Sequence, residues 1–370
     1  MGRNTVTATH ADKPADKSFS RVLRLVALIL AAVVLTVVLG VVVLAPVITC
    51  ANAQIVPDTA MPDEYMENWM KYISDDALIT DIAIPGSHDS GCIDMNYLAQ
   101  TQDLTFAEQL KRGVRYFDIR VNKTADGLRI YHGPVNGVSY LSVLEDIADF
   151  VKTHPDEFLI LDMSHFKNGS EPEVFALLEE YVGTEHFLIN DYENPRQAVD
   201  TMTLGEVRGK CLILIDRDET NFAGKNYLFE RTNDPEKYKN AVLTSLYEKK
   251  YNRRTASYFV ENVIPFYIES FKSTEEGLFV LQAQLTDATL VFGPRYSESR
   301  LVDKMNAFVY GLYASENVGN VNIIMRDFVD CEKSALTLRL NLAKGTVKPE
   351  FTEEFQAMVG KYIHAEAYTA

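Results

Sequence analysis

The stretch Val114-Arg115-Tyr116-Phe117-Asp118-Ile119-Arg120-Val121 reads as a β-strand with side chains alternating between two faces. One face carries Phe117, Ile119 and Val121 and is expected to pack under helices. The other carries Tyr116, Asp118 and Arg120. A parallel strand covered on both sides is normally apolar on both. Charges on the inner face cost several kcal/mol each unless paired. Two readings follow. Asp118 and Arg120 are a buried pair serving structure, or the arginine fork is held ready for a phosphate.

Outward from this strand, short apolar runs alternate with helical stretches. Strands are expected at Asp81–Pro85, Leu128–Tyr131, Phe158–Met163, Cys211–Ile215, Leu278–Leu285 and Val321–Met325. Helices are expected at Thr105–Arg112, Tyr140–Thr153, Glu171–Tyr181 and Ser297–Tyr310, the second stopped by His154-Pro155. Apolar strands separated by helices predict an α/β fold with a parallel sheet under helices. At this length a single TIM-like β/α barrel leads, with a doubly wound open sheet behind it. The charged, Tyr- and Lys-rich region Asn221–Tyr258 reads as an insertion or surface excursion.

The composition is globular: 370 residues, 47% hydrophobic and 24% charged. A net charge of -16 excludes a general nucleic-acid binder, which needs a basic surface to offset phosphates. It also argues against strong electrostatic attraction to anionic lipid. The four cysteines are widely spaced with no CxxC, so a disulfide framework or structural zinc is not expected. Cys92, Cys211 and Cys331 read as ordinary buried thiols.

Leu25–Thr49 is almost wholly apolar and long enough to span a bilayer. Arg3, Lys13, Lys17, Arg21 and Arg24 precede it, which keeps the N-terminus cytoplasmic and sends the body out. Ala51-Asn52-Ala53 suits signal peptidase, whereas the length of the apolar run suits an uncleaved anchor. A lipid-modified Cys50 is a weaker third route. The chain divides into a basic arm (1–24), an anchor or signal segment (25–49), a linker (50–63), a catalytic barrel (64–345) and a C-terminal tail or helix (346–370).

Two of the seven histidines follow apolar strands in small-residue loops: His88 in Ile84-Pro85-Gly86-Ser87-His88-Asp89-Ser90, and His132 in Ile130-Tyr131-His132-Gly133-Pro134. Strand ends of a barrel are where catalytic groups collect. One such histidine is more often structural than catalytic, and two in matching contexts shift the balance.

With these residues in view, the chain resembles the X-box region of phosphatidylinositol-specific phospholipase C, and most closely the secreted bacterial enzymes. The matching stretches are Ile82–Ser90, Ala99-Gln100-Thr101-Gln102, Gln109–Arg120, Ile130–Pro134, Thr203–Ile215, Phe292-Gly293-Pro294-Arg295 and Ile323–Phe328. The resemblance implies a TIM-like barrel that cleaves phosphatidylinositol, or a glycosylphosphatidylinositol, to diacylglycerol and a cyclic inositol phosphate. It implies that His88 is the general base, oriented by Asp327. It implies that Arg120 binds the phosphoryl oxygens, and that His132 is the general acid, paired with Asp89 and with Asp118 close by. The calcium-dependent animal enzymes also resemble this region, but carry an acidic ligand where Arg120 stands. No metal and no cofactor are therefore expected. Glycerophosphodiesterases need a Glu-x-Asp cluster, and Asp118-Ile119-Arg120 does not supply it.

The sequence departs from the bacterial pattern at Leu161-Asp162-Met163-Ser164-His165-Phe166, which looks more like the animal X-domain proteins. Asp162 and Ser164 share a face with Ile160 and are expected to look into the barrel, with His165 pointing out. Residues that grip the inositol ring are not assignable. A cell-surface lipid-binding protein that keeps the pocket without the activity is the competing reading. The expected partner is a phospholipid at a membrane surface. No nucleic acid or protein partner is implied, and the expected state is a monomer.

Overall fold

In the computed structural model, the described residues are 16–52 and 66–368, without 217–224, 235–239, 249, 251–252, 273–276 and 287–291. The chain falls into two units, Met1–Asn52 and Ala53–Ala370. In the first, Asp16–Asn52 is one α-helix of 37 residues. Its Arg21–Gly40 stretch is long and apolar enough to cross a membrane. The expected linker lies almost wholly outside the described residues.

The second unit is built on ten strands: β1 (Ile84–Ser87), β2 (Tyr116–Thr124), β3 (Gly127–His132), β4 (Val135–Ser139), β5 (Leu159–Lys167), β6 (Cys211–Asp216), β7 (Leu228–Thr232), β8 (Leu243–Ser245), β9 (Leu278–Gln282) and β10 (Ile323–Arg326). Eight of them pair in parallel in the order β1-β10-β9-β8-β7-β6-β5-β2, and β2 pairs back onto β1, closing the barrel. β3 and β4 extend β2 antiparallel, outside the closed ring.

Two expectations are corrected here. Leu128–Tyr131 is a strand, but it belongs to this antiparallel flap rather than to the barrel. Asn221–Tyr258 is not a surface excursion, because β7 and β8 lie within it and close the ring. Those strands are only five and three residues long. Their inward polar side chains hide the apolar run that marks the others. Residues 221–224, 235–239, 249 and 251–252 of that region lie outside the described residues.

The alternation along each strand sorts the core into shells. Ile84, Tyr116, Ile160, Leu212, Leu214, Phe229, Leu243, Val280 and Ile323 share one apolar cluster, which fills the barrel. Phe117, Ile119, Val121, Leu161 and Ile213 pack outward against Tyr140–Thr153 and Glu171–Tyr181. Phe279, Leu281 and Ile324 pack outward against Ile264–Lys272, Gly293–Leu312 and Cys331–Lys344. Gly86 faces inward, where a Cβ would meet the Tyr116 ring and Ile323 at 3.1 Å. Its bare backbone lets that ring cross the barrel. Phe355 and Val359 of Thr352–Gly360 join the same cluster, so this C-terminal helix packs into the body.

Each inward row ends in polar residues as the strand reaches its carboxyl end. Ile160 gives way to Asp162, Leu214 to Asp216, Phe229 to Arg231, Leu243 to Ser245, Val280 to Gln282 and Met325 to Asp327. Apolar layers below and a polar layer on top place a cavity at the carboxyl mouth.

Candidate active site

The cavity holds about 390 Å³ and is lined on one side by His88, Asp89, Asp118, Arg120 and His132. Backbone geometry brings these together. β1 ends at Ser87 and the chain turns sharply: Asp89 has φ 44°, in the left-handed region. Just past the end of the neighbouring β10, Phe328 has φ 47° directly after Asp327. Left-handed backbone at a bulky residue is uncommon and costs about 1–3 kcal/mol where it persists. Both turns aim the preceding side chain across the mouth.

His88 Nδ1 lies 2.7 Å from Asp327 Oδ1. A carboxylate accepts, so Nδ1 carries the proton and Nε2 faces the cavity. His132 Nδ1 lies 2.8 Å from the Ala99 carbonyl. That carbonyl can only accept, so His132 also presents Nε2. Asp89 lies within reach of three side chains, Arg120, His88 and His132. Its Oδ1 pairs with Arg120 Nε, and its Oδ2 lies 3.5 Å from His88 Nε2 and 3.8 Å from His132 Nε2. Arg120 Nη2 donates to Asp118 Oδ2 at 2.9 Å, and its Nη1 has no hydrogen-bond partner among the described residues.

Electrostatics follow from this crowding. Burial opposes the imidazolium of His88, but Asp89 and Asp327 outweigh it and push the group up to about 9. Burial also opposes the charge on Asp118, yet Arg120 and then His88 hold it well below the usual carboxylate range. Arg120 in turn is raised well above its ordinary value by Asp118 and Asp89, against the pull of burial. His88, Asp89 and Asp118 are spaced to hold a cation, but the guanidinium of Arg120 already contacts both carboxylates.

The opposite wall of the cavity comes from Asp162, His165, Arg231, Ser245, Tyr247 and Gln282. Arg231 lies 3.2 Å from Asp162 and 3.4 Å from Asp216, and the Tyr116 hydroxyl donates to Asp162 at 2.6 Å. Gln282 donates to Ser245 Oγ at 2.7 Å. Asp162 looks into the barrel as expected. His165 does not point out, and the reason is a bulge. Asp118 pairs with Asp162 but Arg120 pairs with His165, so β5 spends one residue more than β2 over that interval. The extra residue reverses the alternation and turns His165 to the cavity. Sequence reading missed Arg231, Ser245, Tyr247 and Gln282. The signal for Arg231 is the alternation of Leu228-Phe229-Glu230-Arg231-Thr232 inside the region that reads as an insertion or surface excursion.

Cys92, Cys211 and Cys331 are buried, as expected.

With this geometry in hand, comparison with known proteins is informative. Residues 76–217 match the profile of the family described as Phosphatidylinositol-specific phospholipase C, X domain. The chain is 28% identical over 279 residues to a 1-phosphatidylinositol phosphodiesterase of Listeria monocytogenes, covering 71% of this chain and 81% of the relative. It is 32% identical over 159 residues to a 1-phosphatidylinositol phosphodiesterase of Staphylococcus aureus, covering 40% of this chain and 50% of the relative. The solved structure of phosphatidylinositol-specific phospholipase C from Listeria monocytogenes superposes with a TM-score of 0.61 at 23% identity, covering 75% of this chain and 99% of that one. That likeness matches the closed barrel seen here.

Proposed function

Residues 76–217 form a phosphatidylinositol-specific phospholipase C X domain, and from that premise we propose that the protein cleaves phosphatidylinositol, or a glycosylphosphatidylinositol, into diacylglycerol and a cyclic inositol phosphate. The observation that carries this reading is the pair of histidines. Both present Nε2 to the same Asp89 oxygen, at 3.5 and 3.8 Å, with the Arg120 guanidinium beside them. In-line displacement at a phosphodiester needs a base on one side, an acid on the other and fixed positive charge at the equatorial oxygens.

In the proposed step, Nε2 of the neutral form of His88, a minority near pH 7 because Asp89 and Asp327 push the group up to about 9, takes the proton of the inositol 2-hydroxyl. That oxygen bonds to phosphorus and the bond to the diacylglycerol oxygen breaks. His132 donates its Nε2 proton to the departing oxygen. Arg120 offers Nη1 to the phosphoryl oxygens while its other edge stays on Asp89 and Asp118. Asp327 holds the His88 ring and its tautomer. Asp162, Arg231, Ser245 and Gln282 form the wall that meets the inositol ring. The guanidinium supplies the charge that a calcium ion would otherwise bring, so the reaction runs without metal. The catalytic body (64–345, with a C-terminal segment 346–370) lies outside the cytoplasm. It is tethered or exported by 25–49 behind the basic arm 1–24 and the linker 50–63, and it acts as a monomer on lipid at a membrane surface.

The test uses the full chain in a neutral detergent with phosphatidylinositol in mixed micelles and excess chelator. Phosphorus NMR should show a cyclic inositol phosphate appearing as lipid is consumed. No product at all would favour the lipid-binding reading. Loss of activity on chelation, restored by calcium, would overturn the role given to Arg120.

A further inference from the structure

Between the two sharp turns that carry His88 and Asp327 runs Ala99-Gln100-Thr101-Gln102, whose Ala99 carbonyl holds His132 Nδ1 and whose Thr101 and Gln102 take no part in the chemistry above. Thr101 and Gln102 are both fully buried. The Gln102 amide donates to the His88 carbonyl at 2.8 Å and to the Arg326 carbonyl at 3.1 Å. Its Oε1 accepts from the Val329 N–H at 2.9 Å. One side chain therefore ties the end of β1 to both flanks of Asp327. Thr101 repeats the pattern on the two left-handed residues. Its hydroxyl donates to the Asp89 carbonyl at 3.1 Å, and its own carbonyl accepts from the Phe328 N–H at 2.7 Å. From the far side, the buried Lys333 ammonium donates to the Asp327 and Phe328 carbonyls at 2.9 and 2.6 Å. Two strained turns on separate strands thus share one staple.

We propose that Gln102 is a positioning residue, which keeps the Asp327 carboxylate against His88 Nδ1 by locking the ends of β1 and β10 to each other. The inference rests on the assignment of His88 as the base. A buried amide that spans three backbone groups has no apolar substitute, because a side chain of similar size leaves two carbonyls and an N–H unpaired. The ends of β1 and β10 then lose their common reference, and displacement of a catalytic pair by about 1 Å costs roughly 100-fold in rate.

The experiment compares Gln102→Met with the unsubstituted full chain in neutral detergent. The first readout is independent of turnover: the His88 ring is titrated by histidine-selective nitrogen NMR, with its signal identified by its loss in His88→Gln. The groups facing His88 are Asp89, Asp118, Asp327 and Arg120. Only Asp327 is moved by the substitution as proposed, so the His88 titration should fall by roughly one unit. The second readout is kinetic, with kcat down about 100-fold and KM within a factor of two. In an Asp327→Asn background, Gln102→Met should add less than threefold, because the contact it protects is already gone. A folded Gln102→Met whose His88 titrates as before, or whose effect on kcat is undiminished in the Asp327→Asn background, overturns the proposal. Should Gln102→Met not fold, Gln102→Asn keeps the amide one methylene short of its partners and is read by the same criteria. An unsubstituted chain without activity would sink the functional reading, and the titration would still decide the role of Gln102.

Discussion

Two arginines stand five residues apart on one stretch of chain and lead opposite lives. Arg115, at the entry to β2, is fully buried at the amino end of the barrel. Its Nε donates to Glu157 at 2.7 Å, its Nη1 to the carbonyls of Leu110 and Val114, and its Nη2 to the carbonyl of Glu67. Every edge of that guanidinium is taken. Arg120, at the carboxyl end, keeps 23% of its side chain exposed and lines the cavity, with no hydrogen-bond partner on Nη1 among the described residues. Burial drags Arg115 below its ordinary value, while two carboxylates lift Arg120 above its own. A charge that serves structure is closed on all sides by acceptors. A charge kept for a ligand is anchored on one edge and left open on the other.

The largest effect should come from breaking the closed site. Arg115→Met strands the Glu157 carboxylate, which is 2% exposed, in the core. Removing one partner of a buried pair costs about 3–5 kcal/mol. Urea unfolding should show that loss, while the fraction still folded turns over normally. Normal stability would mean that Glu157 finds another partner or a proton at no cost. Arg120→Lys is the counterpart at the open site. An ammonium keeps the charge opposite Asp118 but cannot hold two carboxylates and still present a donor to phosphate. Turnover should fall about 100- to 1000-fold with the melting temperature nearly unchanged. Unfolding of that variant would make Arg120 a second Arg115, and normal turnover would remove it from the site. The smallest effect is linkage at the mouth. His88 is held at about 9 in the folded chain against about 6.5 unfolded, so its contribution to stability is whole below about pH 6.5 and drains away as the pH rises through 9. The melting temperature should fall by a few degrees across that window relative to His88→Gln. Parallel curves would mean that His88 titrates alike in both states.

The open end of the barrel was the more legible in the sequence. Charges on the inner face of a covered strand break a rule, and Asp118 and Arg120 broke it where His88 and His132 followed apolar runs. Arg115 and Glu157 broke no visible rule. Arg115 sits where a strand begins, and Glu157 follows His154-Pro155, where a charged residue is ordinary. Their pairing depends on contacts 42 residues apart in sequence. The headgroup wall was legible only in part, for two physical reasons. β8 is three residues long, too short for any period to register. The β5 bulge shifts the alternation by one, and nothing in Met163-Ser164-His165 announces it. Gln102 was read as part of a matching motif, but its work lies in backbone contacts that no residue type declares.

Asp89 stands within reach of both imidazoles, through one oxygen, at nearly equal distances. In the proposed step the proton count of the pair never changes: His88 gains what His132 gives up. A counter-ion midway between donor and recipient feels that exchange as a shift of charge along its own waist, with no net change in the field it must balance. The resting and spent forms of the site then hold the same number of protons, and no bulk proton is needed between them. Opening of the cyclic ester by water would run the same track in the opposite sense, with His132 drawing the proton from water and His88 returning one to the inositol oxygen. One symmetric carboxylate would let a single constellation run the reaction in both directions.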